Sequence, residues 1–369
     1  MTPQADARFM ALALMLGRRG MGRVWPNPAV GCVIVNDCNI VGRGWTADGG
    51  RPHAEAIALA QAGSAADGAT VYVTLEPCAH HGKTPPCSNA LIKANVARVV
   101  IAADDPDERV NGRGIAMLRD AGVQVDCGVG NKAAARDHAG FLSRITQGRP
   151  FVTLKLAGTL DGRIATATGE SQWITGPEAR RMVHMMRARH DAVMVGAGTV
   201  RADDPSLTVR GLGIVHQPVR VVVSRALKIP VTSQLAQTAR DTPVWLCHGP
   251  EADVAGWTAK GAVSLPCATA ANQVDPHAIM TTLADQGITR VFCEGGGMFA
   301  ASLLNAGLVD QLVVFSAGAA IGAEGTPMLA AMGVDQLIGA PRFALESVRP
   351  IGGDICHVWS KSPGDEIEP

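Results

Sequence analysis

Apolar residues in the first half of the chain fall into short blocks whose period changes at turn-prone clusters. Positions 30–35 and 40–45 are largely apolar and β-favouring, and Asn36-Asp37-Cys38-Asn39 between them predicts a hairpin. The stretch 54–62 has a helical pattern and stops at Gly63, which can take the left-handed backbone angles that end a helix. Strands at 71–75 and 96–102 enclose a helix at 88–94, and helix and strand repeat through 115–125. Upstream, Thr2-Pro3 supplies a cap and a first helical position, with Phe9, Met10, Ala13 and Leu14 on one face. Alternation of this kind predicts an α/β layer with helices packed on a sheet.

A helical stretch at 132–145 leads into Gln147-Gly148-Arg149-Pro150, the expected linker between a first domain, 1–147, and a second, 150–369. Beyond it the pattern restarts with a strand at 151–156 and an amphipathic helix at 177–189 that begins on Pro177. Further strands are expected at 192–195, 219–223, 244–247, 291–293 and 312–315. A closing hairpin, 343–348 with 355–359, turns at Gly352-Gly353-Asp354. A chain of 369 residues exceeds one ordinary core, in keeping with two domains.

Composition narrows the function classes. Hydrophobic residues are 47% and charged residues 18%, which suits a folded protein and excludes a disordered one. Lys plus Arg and Asp plus Glu are both 33, so the basic excess of a protein gripping long nucleic acid is missing and a small molecule is the expected partner. Nine cysteines in no regular framework suit free thiols or metal ligands in a reducing, cytoplasmic setting. The apolar run 9–16 is short, lacks a small-residue cleavage site and precedes Arg18-Arg19, so it is expected to be an ordinary helix and not an export signal. No apolar stretch is long enough to span a membrane.

Candidate chemistry concentrates in His53-Ala54-Glu55, Pro77-Cys78 and Pro86-Cys87. Zinc favours imidazole and thiolate ligands, and three of them leave a fourth position for water. His53, Cys78 and Cys87 form such a set, each at or near the start of an expected helix, where the helix dipole favours thiolate. Glu55, two residues from His53, could stand beside the water and move its proton. The order H-x-E then P-C-x-x-C marks zinc base deaminases, but here eight residues, 79–86, replace the usual two. Two blander alternatives are ordinary buried thiols and a structural zinc site with His80 or His81 as fourth ligand.

The run from Leu75 through Pro86-Cys87 closely resembles the motif of the bifunctional riboflavin-biosynthesis deaminase/reductase family, in which the long loop between the cysteines is normal. Pro26-Asn27-Pro28-Ala29-Val30-Gly31 matches as well. The resemblance continues through Lys155-Leu156-Ala157, Leu160-Asp161-Gly162-Arg163, the Gly169-Glu170-Ser171-Gln172-Trp173-Ile174-Thr175 run, and the run from Asp203 to Arg210. It implies a cytidine-deaminase-like α/β/α layer followed by a dihydrofolate-reductase-like α/β domain. It also implies zinc-dependent deamination of 2,5-diamino-6-ribosylamino-4(3H)-pyrimidinone 5′-phosphate and reduction of its ribosyl group to ribityl. Asn27, His80, Lys83 and Asp105 match deaminase substrate positions. The family's Asp-Pro-Asn-Pro is here Asp105-Pro106-Asp107-Glu108, a departure at the pocket rim.

Such a reduction needs a hydride, which side chains do not carry, so NADPH is implied. Two glycine-rich turns after strands, Gly196-Ala197-Gly198-Thr199 and Gly295-Gly296-Gly297, suit phosphate, although neither is a G-x-G-x-x-G fingerprint. The resemblance places Ala157, Trp173, Thr199, Asp203, Ser224 and the run Gly296, Gly297, Met298, Phe299, Ala300, Ala301 and Ser302 at the cofactor. It places Ser171, Arg187, Leu207, Arg210 and Glu294 at the reductase substrate. Lys155, Asp161 and Glu294 are candidates for the proton donor. Two competing functions are a nucleic-acid base deaminase and a non-enzymatic zinc scaffold with a nucleotide-binding module. The resemblance leaves room for a homo-oligomer.

Overall fold

The computed structural model describes residues 2–79 and 85–361. It divides into two compact units, Met1–Arg149 and Pro150–Pro369. In the first, the elements are α1 (Pro3–Gly17), β1 (Gly31–Asn36), β2 (Asn39–Trp45), α2 (Ala54–Ala62), β3 (Thr70–Val73), α3 (Cys87–Lys93), β4 (Arg98–Ile101), α4 (Arg113–Asp120), β5 (Gln124–Cys127) and α5 (Asn131–Gln147). The sheet order is β2-β1-β3-β4-β5, with β1 antiparallel to both neighbours and β3, β4 and β5 parallel.

Glycines bring the helices close to this sheet. A Cβ on Gly31 would lie 1.9 Å from the Ala13 carbonyl oxygen of α1, and one on Gly44 would lie 2.1 Å from the Ala54 oxygen of α2. Gly44 is paired with Cys32, the next residue after Gly31, and successive strand residues face opposite ways. Helices α1 and α2 therefore cover opposite faces, which makes the unit α/β/α. The strand core between them, including Val33, Ile34, Val71, Val73, Val99 and Val100, is 0% exposed. This two-sided burial is what makes the strands read as continuous apolar runs.

The second unit contains β6 (Phe151–Thr159), β7 (Arg163–Ala165), α6 (Pro177–Arg187), β8 (Ala192–Gly196), α7 (Ala197–Asp203), β9 (Val219–Ser224), α8 (Gln234–Gln237), β10 (Val244–His248), α9 (Ala255–Thr258), β11 (Val263–Pro266), β12 (Thr269–Ala270), β13 (Gln273–Val274), α10 (Pro276–Asp285), β14 (Arg290–Cys293), α11 (Gly297–Asn305), β15 (Gln311–Ala317), β16 (Thr326–Pro327), β17 (Phe343–Ile351) and β18 (Asp354–Lys361). Nine strands form one sheet in the order β11-β10-β9-β8-β14-β6-β15-β18-β17. The strands from β11 through β15 run parallel, and the closing hairpin adds antiparallel to β15. Strand β14 inserts between β6 and β8, so the loops after β8 and β14 emerge side by side at the carboxyl edge. In open α/β sheets that edge is where ligands bind.

Candidate active sites

His53 is the N-cap residue of α2, and Cys87 opens α3 after Pro86. Cys78, expected near a helix start, instead lies in the irregular segment after β3. Its sulfur still reaches the start of α3, where it accepts the Cys87 backbone N–H at 3.3 Å. His53 Nδ1 is 3.3 Å from Cys87 Sγ and 3.7 Å from Cys78 Sγ, and the three ligand atoms lie within 4.8 Å of one another. Zinc bonded to nitrogen at about 2.0–2.1 Å and to sulfur at about 2.3 Å requires tetrahedral edges of roughly 3.5–3.8 Å, so this set fits the ion. The Cys87 thiol, with the His53 ring and the Cys87 N–H, holds the Cys78 thiol down at about 4.

Glu55 follows on α2, is 4% exposed and lines the same pocket. Burial first, then the charge of Cys78, pushes its carboxyl up to about 7. Asn27 and Asp105 also line the pocket, whereas His80 and Lys83 lie outside the described residues. Burial raises the Asp105 carboxyl to about 6, with Asp107 and Glu76 adding to the effect.

Several lining residues had no sequence signal of their own. Glu76 accepts the Gly112, Gly114 and Ile115 N–H groups at 3.0, 2.9 and 3.2 Å, which fixes the start of α4 beside the site. Asp107 accepts Arg109 Nε at 2.8 Å and Nη2 at 2.5 Å. Arg51, immediately before Pro52-His53, lines the pocket too.

In the second unit, Thr199 and Gly296 meet where the two glycine-rich turns converge: Gly296 N–H donates to Thr199 Oγ1 at 3.2 Å. A Cβ on Gly295 would come within 2.6 Å of the Phe299 ring, so glycine lets that turn lie against α11. Ala157 lies on β6, Asp203 ends α7, Ser224 ends β9, and the run from Gly297 through Ser302 is the first turns of α11. Within that run Met298 is 78% exposed while Ala300 and Ala301 are buried. Trp173 is 69% exposed, so it is a surface plate and not a core aromatic, and the Arg180 guanidinium carbon sits 4.5 Å from its ring centre. Ser171 and Arg210 are also exposed.

Arg187 is not an open fork. It donates through Nε and Nη2 to Glu294 at 2.6 and 3.1 Å, and through Nη1 to the Thr208 carbonyl at 2.9 Å. Burial opposes ionisation of Glu294, but Arg187 and then Lys155 hold its carboxyl below the usual range. Burial lowers the Lys155 ammonium beside it. Leu207 is buried with φ of 54°, its side chain turned into the core, so only its backbone can face a ligand.

Residues 3–103 match the cytidine and deoxycytidylate deaminase zinc-binding region, and residues 150–357 match the RibD C-terminal domain. The chain is 41% identical over 363 residues to the riboflavin biosynthesis protein RibD of Escherichia coli K12, covering 95% of this chain and 98% of that one. The chain belongs to the RibD family. Its relative from Aquifex aeolicus is 39% identical, over 96% of this chain and 98% of its own. The RibD structure of Acinetobacter baumannii, form 1, superposes with a TM-score of 0.89 at 37% identity, covering 98% and 100% of the two chains. A Thermotoga maritima structure described as a diaminohydroxyphosphoribosylaminopyrimidine deaminase/5-amino-6-(5-phosphoribosylamino)uracil reductase gives 0.86 at 32% identity, covering 98% and 99%. Like other RibD proteins, this chain is an enzyme that joins a zinc-binding deaminase domain to a reductase domain, which sets aside the nucleic-acid deaminase and the scaffold.

Proposed function

We propose that the chain deaminates 2,5-diamino-6-ribosylamino-4(3H)-pyrimidinone 5′-phosphate and then reduces the product's ribosyl group to give 5-amino-6-(5-phosphoribitylamino)uracil. The observation that carries this reading is the buried Glu55 carboxyl lining one pocket with His53 and Cys78, whose ligand atoms cluster with that of Cys87, on a chain that also holds a reductase domain. His53, Cys78 and Cys87 would hold zinc, which when bound supplies a water activated at neutral pH. Glu55 takes a proton from the attacking water and passes it to the leaving amine, so that ammonia departs and a carbonyl remains. Asn27 and Asp105 orient the pyrimidine, with His80 and Lys83 assigned there by resemblance.

In the second domain the paired glycine turns, Ala157, Trp173, Thr199, Asp203, Ser224 and the first turns of α11 hold NADPH, which supplies the hydride. The hydride must be balanced by a proton. Asp161 is unsuited to give it: Thr159 and the Gly322 and Ile321 amides hold its carboxyl at about 2. Arg187 grips Glu294 through two hydrogen bonds and holds its carboxyl down, and of the three candidates we assign the donor to Lys155, the ammonium beside it that burial lowers. Exposed Arg210 receives the substrate phosphate, while Arg187 positions Glu294, and Ser171 and the Leu207 backbone complete the site.

The reading carries further expectations: a small phosphorylated pyrimidine and no nucleic acid as partner, and a cytoplasmic location. No helix among the described residues is long and apolar enough to cross a membrane. Leu345 and Val348 are exposed on the edge strand β17, and Leu337 and Ile338 are exposed in the segment before it, which suits a homo-oligomer.

The test is product mass. Zinc-loaded protein incubated with fresh substrate should give the deaminated product without NADPH, and the deaminated and reduced product with it. Deamination alone would remove the reductase assignment, and no change in either reaction would overturn the whole reading.

A further inference from the structure

Four carboxylates line the zinc pocket, from Glu55, Glu76, Asp105 and Asp107. A wall this acidic would repel a substrate that carries a phosphate. Glu76 is occupied with the amides at the start of α4, and burial favours the neutral form of Asp105. Asp107 is different. It is 8% exposed and grips Arg109, whose side chain is 66% exposed, through two parallel hydrogen bonds. The chelate is set by local backbone: Asp107 N–H donates to Asp105 Oδ1 at 2.9 Å, and Arg109 N–H donates to Asp107 Oδ1 at 2.9 Å. These two turns fold the segment so that a carboxylate and the guanidinium two residues later lie side by side.

We propose that the Asp107–Arg109 pair forms an anion-binding rim of the deaminase pocket, with Arg109 receiving the substrate's 5′-phosphate and Asp107 positioning it. A guanidinium carries five N–H donors, and Asp107 takes two, one from Nε and one from Nη2. The other three remain for phosphate oxygens, in the planar arrangement that suits bidentate recognition. The proposed substrate's shape suits a cation at the mouth of the pocket. Its pyrimidine must lie against Glu55 and the metal ligands, so the phosphate, at the far end of the ribose, extends toward the mouth. Arg109 combines a lining position with high exposure, which is what a group at the mouth shows. Arg51 adds a second positive charge to the lining. The Asp-for-Asn departure at position 107 is thereby explained: a carboxylate is tolerated beside an anion because Arg109 neutralises it, and it holds that arginine in place.

This assignment deepens the proposed deaminase function and rests on it. The experiment compares deamination of the 5′-phosphorylated substrate and of its enzymatically dephosphorylated form by the zinc-loaded full chain. Wild type, Arg109→Ala, Arg109→Lys and Asp107→Asn would be measured, with zinc content determined for each. The wild-type preference for the phosphorylated form, as a ratio of kcat/KM, should fall about tenfold or more in Arg109→Ala, mainly through KM, the scale of one lost charged hydrogen-bond contact. Arg109→Lys should recover part of it, and Asp107→Asn should lie between wild type and Arg109→Ala. An unchanged preference in Arg109→Ala, or an equal loss with both substrates, would overturn the rim while leaving the deaminase reading intact. A zinc-loaded wild type that turns over neither substrate would overturn the deaminase reading and the rim with it.

Discussion

At the scale of single residues, the proposed deaminase site assigns metal holding and proton transfer to different side chains. His53, Cys78 and Cys87 bring their donor atoms within one coordination sphere, and Glu55 is buried against them without belonging to that set. Replacing Glu55 with Gln keeps the side chain's shape and removes its proton-carrying capacity. The variant should retain full zinc by atomic absorption and lose deamination by about 10²–10⁴-fold, the usual weight of a positioned acid/base group. It should still reduce the deaminated substrate with NADPH. Zinc loss in Glu55→Gln would instead make Glu55 part of the metal site. The candidate ligands and Glu55 were legible because their chemistry is local: H-x-E and two Pro-Cys steps suggested a metal, the resemblance to a family with a long loop between the cysteines answered the spacing objection, and the structure brings the three ligand atoms within 4.8 Å of one another. Glu76, Asp107 and Arg109 were not legible as site residues. Glu76 acts through helix α4, 36 to 39 positions away, and the Asp107–Arg109 chelate exists only because two successive turns fold the segment.

At the scale of elements, the hydrophobic pattern located the β1–β2 hairpin, α2, the parallel strands other than the edge strand β11, and the closing β17–β18 hairpin, because each is bounded by a turn or cap signal in the sequence. It passed over α10 and α11 and carried no information on strand order, although α10 has a readable apolar stripe, Ile279, Met280, Leu283 and Ala284, behind an Asp275 cap and Pro276, whereas α11 is apolar over most of its length. The placement of β14 between β6 and β8 is a tertiary outcome, and it is what brings Glu294 and Gly296 to Arg187 and Thr199. In the first unit a similar long-range link ties α1 to the sheet. Asp6 on α1 accepts the Tyr72 hydroxyl of β3 at 2.6 Å and two Arg98 bonds from β4 at 2.9 Å, while Arg98 also reaches Asp126 of β5 at 2.6 Å. Hydrogen bonding to Arg98 holds the Asp6 carboxyl below its ordinary value of 3.8. A depressed carboxylate stabilises the fold fully above the unfolded value and loses that contribution as pH falls through the folded one. Asp6→Asn should therefore cost about 1.5–3 kcal/mol near neutral pH, measured by denaturant unfolding. The gap from wild type should narrow as pH drops below about 4. A gap independent of pH would mean that packing, and not the ion pair, holds α1.

At the scale of the whole molecule, two chemistries share one chain, and the residues proposed for each site fall, among the described residues, within one unit. Among the described residues, those lining the pocket lie between Asn27 and Phe141, and those proposed for NADPH, the reductase substrate and the proton donor lie between Lys155 and Ser302. Each unit also has its own sheet and its own buried core. This arrangement predicts that a lesion in one site stays there. Cys87→Ser removes a thiolate from the triad, weakening a site whose remaining ligands are His53 and Cys78. It should abolish stoichiometric zinc and deamination together, whereas NADPH binding and reduction of separately supplied deaminated substrate should remain within about twofold of wild type, since no bond there is touched. Chelation of the wild-type enzyme should reproduce the same split, and added zinc should restore deamination to wild type but not to the variant. Retained zinc in Cys87→Ser would remove Cys87 from the ligand set. Parallel loss of both reactions with zinc depletion would show instead that the metal supports folding of the whole chain, joining the two units in stability as well as in reaction sequence.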